Sequence, residues 1–286
     1  MSATPPYSAM YDKPRCPQEG ARMKKLPAIW VWLLPAISGA LFVAAWYAVR
    51  HLSGLQSWIL PTPGEILEAA WRERARLLHA AGSTTLGALA GFLLAAGSSL
   101  VLALLLGISR ALRAGLYPWL LVLQMTPVIV LTPIIVLWAG PGQPGIITIT
   151  WLISFFPVVA NTTQGLISAD LNHVALFRMA NATRWQEMLY LRVPTAMPYY
   201  LTGLRIAATL APIGAIFGEY MVGNTSGGSG GLGYLVYSYN SQIKIPALFA
   251  TALASCLLGF VFVAAVALLN WAVLNKWHDS FERDDH

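Results

Sequence analysis

The chain has 286 residues, 57% of them hydrophobic and only 10% charged, with a formal net charge of +6 and a mean hydropathy of +0.60. From Ala114 to Ala169, 56 consecutive residues include no Asp, Glu, Lys, Arg or His, and Pro27–Val49, Ala80–Ser109, Pro198–Gly218 and Ile245–Asn275 are uncharged or nearly so. A helix crosses a bilayer with roughly 20 mainly apolar residues, and a water-soluble fold could not bury this many such runs and still solvate its surface. The composition therefore excludes a large soluble helical protein and leaves little room for a sizeable soluble domain.

Along the chain, residues 1–26 carry Pro5, Pro6, Pro14, Pro17 and Gly20 and read as a disordered cytoplasmic tail. Lys24 and Lys25 precede the first apolar run, which is long for a signal peptide and has no small-residue cleavage site behind it, so an uncleaved anchor is expected. The membrane region, 27–278, divides into six spans: about Ile29–Val49, Ala80–Leu106, Leu116–Trp138, Ile146–Leu166, Tyr199–Met221 and Ala247–Leu274. The division inside the long uncharged region falls at Gly140-Pro141-Gly142-Gln143-Pro144-Gly145, a run hostile to helix. Thr62-Pro63-Gly64-Glu65 reads as a helix start, and Ile66, Leu67, Ala70, Leu77 and Leu78 can form a stripe, so Glu65–His79 is expected to lie as one helix on the outer surface. Residues 279–286 form a short cytoplasmic tail.

Six spans place both termini on one side. Lys24, Lys25, Arg110, Arg113, Arg178, Arg184, Arg192, Lys276 and Arg283 then share that side, against Arg50, Arg72, Arg74, Arg76 and Lys244 opposite, so the bias sets both termini in the cytoplasm. Topology and anionic lipid account for the net charge, and no nucleic-acid partner is implied. Cys16 and Cys256 make neither a disulfide framework nor a zinc site, and Cys256 reads as small apolar filler.

The third span holds Pro118, Pro127 and Pro133, which either bend it simply or mark a kinked, cavity-lining helix; Thr126 and Thr132 can satisfy backbone groups beside them. Arg205 and Glu219 stand about 21 Å apart along a straight helix and cannot pair within it; Arg205 is expected to snorkel to the inner interface and Glu219 to lie near the outer end. For Glu219, a bond to the glycine-rich segment around Asn224–Gly233 and a gating role are both open. That segment is either a passive external loop or a tight turn against another chain, leading into a short re-entrant or interfacial helix from Gly231 to Tyr237. A membrane enzyme would show His, Asp or Glu clustered within or beside its spans, and none is visible here.

Between the fourth and fifth spans, residues 170–194 form a connection of a different kind. Two short amphipathic helices fit it, one with Leu171, Val174 and Phe177 on a face and one with Trp185, Met188 and Leu189. Asn181 suits a left-handed turn that ends the first, Thr183 with Gln186 makes a capping box for the second, and Pro194 is expected to end the element. This stretch resembles the EAA loop of type I ABC importer permeases, of the nitrate, sulfonate, taurine and bicarbonate class. The signature glycine position is Asn181 here, and Leu191, Val193 and Pro194 fill the apolar, apolar and proline positions. Ala182-Thr183-Arg184-Trp185-Gln186 is close to the family's common form, and Thr202–Ala207, Gly218-Glu219 and Gly231–Leu235 extend the likeness over most of residues 60 to 275. Ala175, Leu176 and Phe177 stand where the family is named for Glu-Ala-Ala, which removes one polar contact to a partner.

The resemblance implies an all-α polytopic membrane protein with six transmembrane helices and the type I importer permease fold. It implies a coupling loop seated on a cytoplasmic ABC ATPase through Phe177, Asn181, Ala182, Thr183, Arg184, Trp185, Glu187, Met188 and Pro194. It further implies a second permease chain, as a homodimer, and an extracytoplasmic solute-binding protein. Met125, Pro127, Pro133, Asn161, Arg205 and Glu219 are the candidate pathway or gate residues. The sequence has no Gly-x-x-x-x-Gly-Lys-Ser/Thr phosphate loop, so this chain is expected to bind no cofactor itself, ATP and Mg belonging to the partner ATPase. Thr126–Trp138 and Phe155–Thr162 resemble permeases for thiamine precursors or riboflavin, which points to a small aromatic or heteroaromatic cargo or an organic anion. A secondary transporter and a non-transporting membrane scaffold are the alternatives, although no half-chain repeat or intramembrane acidic cluster favours the former.

Overall fold

The computed structural model describes residues 28–54, 56–222 and 230–278. The expected tails at 1–26 and 279–286, with Lys24, Lys25 and Arg283, and most of the glycine-rich segment from Asn224 onward lie outside the described residues. Contacts divide the chain into a unit ending at Val49 and a second that begins at Arg50. The long apolar helix α1 (Ala28–Leu52) starts in the first unit and runs just past its boundary.

The second unit is all helix. It comprises α2 (Pro63–Arg72), α3 (Arg74–Ile108), α4 (Arg110–Met125), α5 (Val128–Ala139), α6 (Gln143–Ile167), α7 (Leu171–Met179), α8 (Arg184–Glu187), α9 (Val193–Val222), α10 (Leu232–Ser241) and α11 (Ile245–His278). Among the described residues five helices are long and apolar enough to cross a membrane, and α4 with α5 makes a sixth candidate as a pair bent by 104°.

Small residues set the core. Gly91 of α3 stands against Thr150 of α6 so closely that an added Cβ would lie 2.5 Å from the Thr150 Cβ. Gly203 of α9 likewise meets Val158, whose Cα would lie 3.0 Å from such an atom. With no hydrophobic drive between helices in lipid, this closeness is where packing contacts are gained. Ala88, Ala207, Ala208, Ala211 and Ala215 join Phe92, Ile146 and Val158 in one buried cluster, which α11 closes with Phe262, edge-on to Phe92 at 5.7 Å.

The register of these contacts fixes the topology. Gly87 faces Ile146, Gly91 faces Thr150 and Gly107 faces Leu166, so α3 and α6 run parallel at a constant offset. Gly165 faces Ala196 while Gly218 faces Ile146, so α9 runs antiparallel to α6. Because α3 ends level with the end of α6, residues 110–139 must carry the chain back across the full depth. The bent pair is therefore one crossing.

That crossing is not the single kinked helix over Leu116–Trp138 expected from the sequence. Pro127 disfavours the helical region at the residue before it, and Thr126 is accordingly extended at φ −72° and ψ 126°. The Thr126 hydroxyl donates to the Val122 carbonyl at 3.3 Å and that of Thr132 to Val128 at 3.0 Å, the local satisfaction expected beside Pro127 and Pro133.

The expected surface helix over Glu65–His79 is also corrected. It breaks at Glu73, and Arg74–His79 form the first turns of α3. The break is held from a distance: the buried Tyr239 of α10 donates its hydroxyl to Glu73 Oε2 at 3.0 Å. Of the expected stripe, Ile66 and Leu77 are buried while Leu67 and Leu78 are exposed. Cys256 is exposed on α11 rather than packed in the core.

Candidate functional site

The connection from α6 to α9 is built by local hydrogen bonds. Asp170 caps α7 by accepting the Asn172 N–H at 2.8 Å. Asn181 takes the left-handed turn at φ 54°, one of two described non-glycine residues with positive φ. Thr183 Oγ1 then accepts the Gln186 N–H at 3.3 Å, while Gln186 Oε1 accepts the Thr183 N–H at 2.7 Å, so the capping box is complete.

Beyond α8 the helix does not stop. Met188–Arg192 form a π-helical turn in which the Val193 N–H reaches back to the Met188 carbonyl, and α9 follows directly. Pro194 therefore lies in the first turn of α9 instead of ending the element. The wider π register accommodates a residue with no N–H and a bulky ring. Arg192 bolts this turn to the end of α6: its Nη1 donates to the Leu166 carbonyl at 3.0 Å and its Nε to Glu187 Oε1 at 2.8 Å.

The two loop helices divide their apolar side chains between the fold and the surroundings. Met188 and Val174 are buried, whereas Leu171, Leu176, Met179, Leu189 and Tyr190 are exposed, and Trp185 is 65% exposed. In α7 the expected common face of Leu171, Val174 and Phe177 is thus only partly buried. Trp185, Met188 and Leu189 do share a face, along an apolar groove with Leu104, Leu105 and Ile108 of α3. Phe177 and Ala182 meet Leu176, Gln186 and Tyr190 around a shallow cavity of about 320 Å³ on the other side. Arg184 is exposed and Glu187 is half-buried in its ion pair with Arg192.

The candidate pathway residues are not gathered in one place. Met125 is exposed at the end of α4, Pro127 caps α5 and Pro133 lies within it. Asn161 is turned to its own helix, donating to the Pro157 carbonyl at 2.8 Å. Arg205 is exposed near the midpoint of α9, about 18 Å along the helix from its start. With Thr202, Ile206, Thr209 and Ile213 it forms one exposed stripe. The two threonine hydroxyls are turned back to carbonyls of α9.

Glu219 occupies a different setting. It is fully buried near the far end of α9, where its Oε2 accepts the Gly233 N–H at 3.0 Å and lies 2.8 Å from the Thr84 hydroxyl. Thr84 in turn accepts the Leu232 N–H at 2.9 Å, so α3, α9 and α10 meet at one polar knot. Glycine is required around it: a Cβ on Gly231 would overlap the Glu219 carboxylate, and one on Gly233 the Ile216 carbonyl. Thr84 carried no sequence signal, because its partner is 135 residues away. Among the described residues no group of three or more His, Cys, Asp or Glu is placed to hold a metal.

Residues 87–274 match the family described as binding-protein-dependent transport system inner membrane component. A Haemophilus influenzae protein named "Probable ABC transporter permease protein" is 33% identical over 221 residues, covering 77% of this chain and 88% of its own length. The formylaminopyrimidine transport permease protein ThiX of Halalkalibacterium halodurans is 33% identical over 246 residues, 86% of this chain and 96% of its own. The riboflavin transport system permease protein RibX of Chloroflexus aurantiacus is 29% identical over 253 residues, at 88% and 92% coverage, and permeases named for nitrate and bicarbonate are similar as well. The helical crossings, the capped loop and these relatives together place the chain in the family of binding-protein-dependent inner-membrane transport components, the non-catalytic permease subunits of ABC-type importers.

Proposed function

We propose that this permease couples to a cytoplasmic ABC ATPase through the α7–α8 loop and passes a small heteroaromatic solute between two copies of itself. The carrying observation is the loop's exposed apolar surface. Leu171, Leu176, Met179, Trp185 and Tyr190 stand in the connection between two membrane helices, on a turn rigidly set by Asn181 and Thr183. A large apolar patch left open on a well-capped element marks a contact with another protein. The loop end faces the cytoplasm, in line with the arginines it carries, and both termini lie on that side. ATP and Mg belong to the ATPase, and an extracytoplasmic binding protein delivers the cargo to the opposite end.

The exposed stripe of α9 forms the wall of the path. A Thr202–Arg205–Thr209 face at mid-depth is costly against lipid, and a second copy facing it encloses the charge in an aqueous route. A guanidinium stacks on flat rings and donates to electron-rich or anionic groups. Relatives named for formylaminopyrimidine and riboflavin point in the same direction.

The test is uptake by the reconstituted complex of permease, ATPase and binding protein. ATP-dependent accumulation of a pyrimidine or flavin is expected, with no uptake from an ion gradient. Gradient-driven uptake by this chain alone would refute the coupling scheme. Preferential uptake of nitrate would refute the cargo.

A further inference from the structure

Two adjoining depressions at the loop-bearing end differ in chemistry. One, of about 750 Å³, opens between the start of α4 and the loop and is lined by Arg110, Arg113, Arg178, Arg184 and Arg192. Arg192 is committed to Glu187 and the Leu166 carbonyl. Among the described residues the other four have no acidic side chain within ion-pair distance. The second depression, of about 380 Å³, is a groove along α3 and α9 that includes Leu100, Leu104, Leu166, Ala196 and Met197. Its two hydroxyl-bearing residues are turned away from it, Thr162 to the Val158 carbonyl at 2.6 Å and Tyr200 to that of Ala96 at 3.3 Å. Ile108 and Met188 line both depressions, so the cationic one adjoins the apolar one.

We propose that this pair is a binding site for an anionic phospholipid. The phosphate is held by Arg110, Arg113 and Arg178, and one acyl chain lies in the groove along α3 and α9. Arginine forks match phosphate oxygens, and basic pockets between membrane helices suit anionic headgroups. The groove decides between a lipid and the ATPase as occupant. Leu100 lies about 12 Å along α3 from Ile108, within the hydrocarbon layer, where a soluble protein does not reach. Arg184, with Trp185 and Leu189 at the loop end of the groove, belongs to the surface assigned to the ATPase, and Arg178 lies on α7 of the loop. Arg110 and Arg113, in contrast, sit on α4, and Leu100, Leu104 and Met197 lie on the membrane helices, outside the loop. The choice of the cytoplasmic leaflet rests on the orientation proposed above; the site itself does not.

The test is lipid retention by the purified full-length transporter, exposed in detergent to equal amounts of phosphatidylglycerol and phosphatidylcholine and read by native mass spectrometry. Preferential retention of phosphatidylglycerol is expected. Arg110→Ala with Arg113→Ala should lower it by about tenfold and leave phosphatidylcholine and the lipid-free melting temperature unchanged. Leu104→Trp, which fills the groove with every arginine intact, should lower it too. Equal retention of the two lipids, or retention indifferent to both variants, would overturn the proposal. Displacement of the lipid by millimolar inorganic phosphate alone would replace it with a free-anion site. Loss of the ATPase from the arginine variant, with phosphatidylglycerol retained, would assign the depression to the ATPase. No ATP, cargo or transport enters this readout, so its failure is separate from failure of the importer scheme.

Discussion

Oε2 of Glu219 accepts the backbone N–H of Gly233 at 3.0 Å, joining the end of α9 to the first turn of α10. The same carboxylate reaches Thr84 of α3, and among the described residues its Oε1 has no hydrogen-bond partner. Replacing Glu219 by Ala strands the Gly233 N–H in a buried place, at a cost of about 1–3 kcal/mol for each group left unpaired. Glu219→Ala should therefore melt well below the parent in detergent. Glu219→Gln keeps one oxygen that accepts from both the Gly233 N–H and the Thr84 hydroxyl and should stay close to it. Gly231→Ala, which forces a Cβ into the carboxylate, should behave like Glu219→Ala. Equal melting temperatures for all three would show that the knot does not hold α10.

The close approach of α3 and α6 makes a paired prediction. Gly91→Ala places a Cβ 2.5 Å from the Thr150 Cβ, and overpacking of this kind costs about 1–3 kcal/mol. Gly97 has nothing within 4 Å of the same construction, so Gly97→Ala should be neutral or slightly stabilising through helix propensity. Yield of folded protein and melting temperature separate the two.

Glu65 gives a pH dependence. Its Oε2 accepts the Thr62 N–H at 2.9 Å and its Oε1 the Ser57 hydroxyl at 2.8 Å. These bonds, the Thr62 N–H first, hold its pKa below the ordinary 4.5. A carboxyl whose pKa is lower in the folded state adds stability above its unfolded pKa and loses it as pH falls through the folded one. Glu65→Gln should accordingly melt below the parent at neutral pH, and the gap should narrow in acid below pH 4.5. A gap that stays constant into acid would remove the charge from the explanation.

Features held by neighbours in sequence were legible from it. The capping boxes at Thr62/Glu65 and Thr183/Gln186 and the left-handed Asn181 depend on groups three residues apart or fewer. The six candidate crossings follow from apolar length together with the break at Gly140–Gly145 that divides the longest run. What escaped depends on distant groups. Tyr239 holds Glu73 at the break between α2 and α3 across 166 residues, and Thr84 meets Glu219 across 135. The π turn at Met188 is invisible to a 3.6-residue pattern, so Pro194 read as a stop. The position of Arg205 along its helix became visible only once α9 was seen to start at Val193.

The left-handed turn at Asn181 predicts an asymmetric response. Asn181→Gly fits φ 54° without a side chain and should leave loop function intact. Asn181→Val puts a β-branched residue there and should disturb the placement of α8 while the crossings still form. ATPase association measured against membrane expression distinguishes the two. An association defect with Asn181→Gly as large as that with Asn181→Val would remove backbone geometry as the cause.

Docking through the loop is tested most directly by copurification of a tagged ATPase with Trp185→Ala and with Arg184→Glu. Trp185 and Arg184 are exposed on α8, and among the described residues neither side chain makes a hydrogen bond. A buried aromatic anchor at an interface contributes about 2 kcal/mol or more, or about 30-fold in affinity. Both variants should insert at parental levels, bind the ATPase at least about tenfold more weakly and lose cargo-stimulated ATP hydrolysis. Parental association and parental stimulation in both would contradict coupling through this loop.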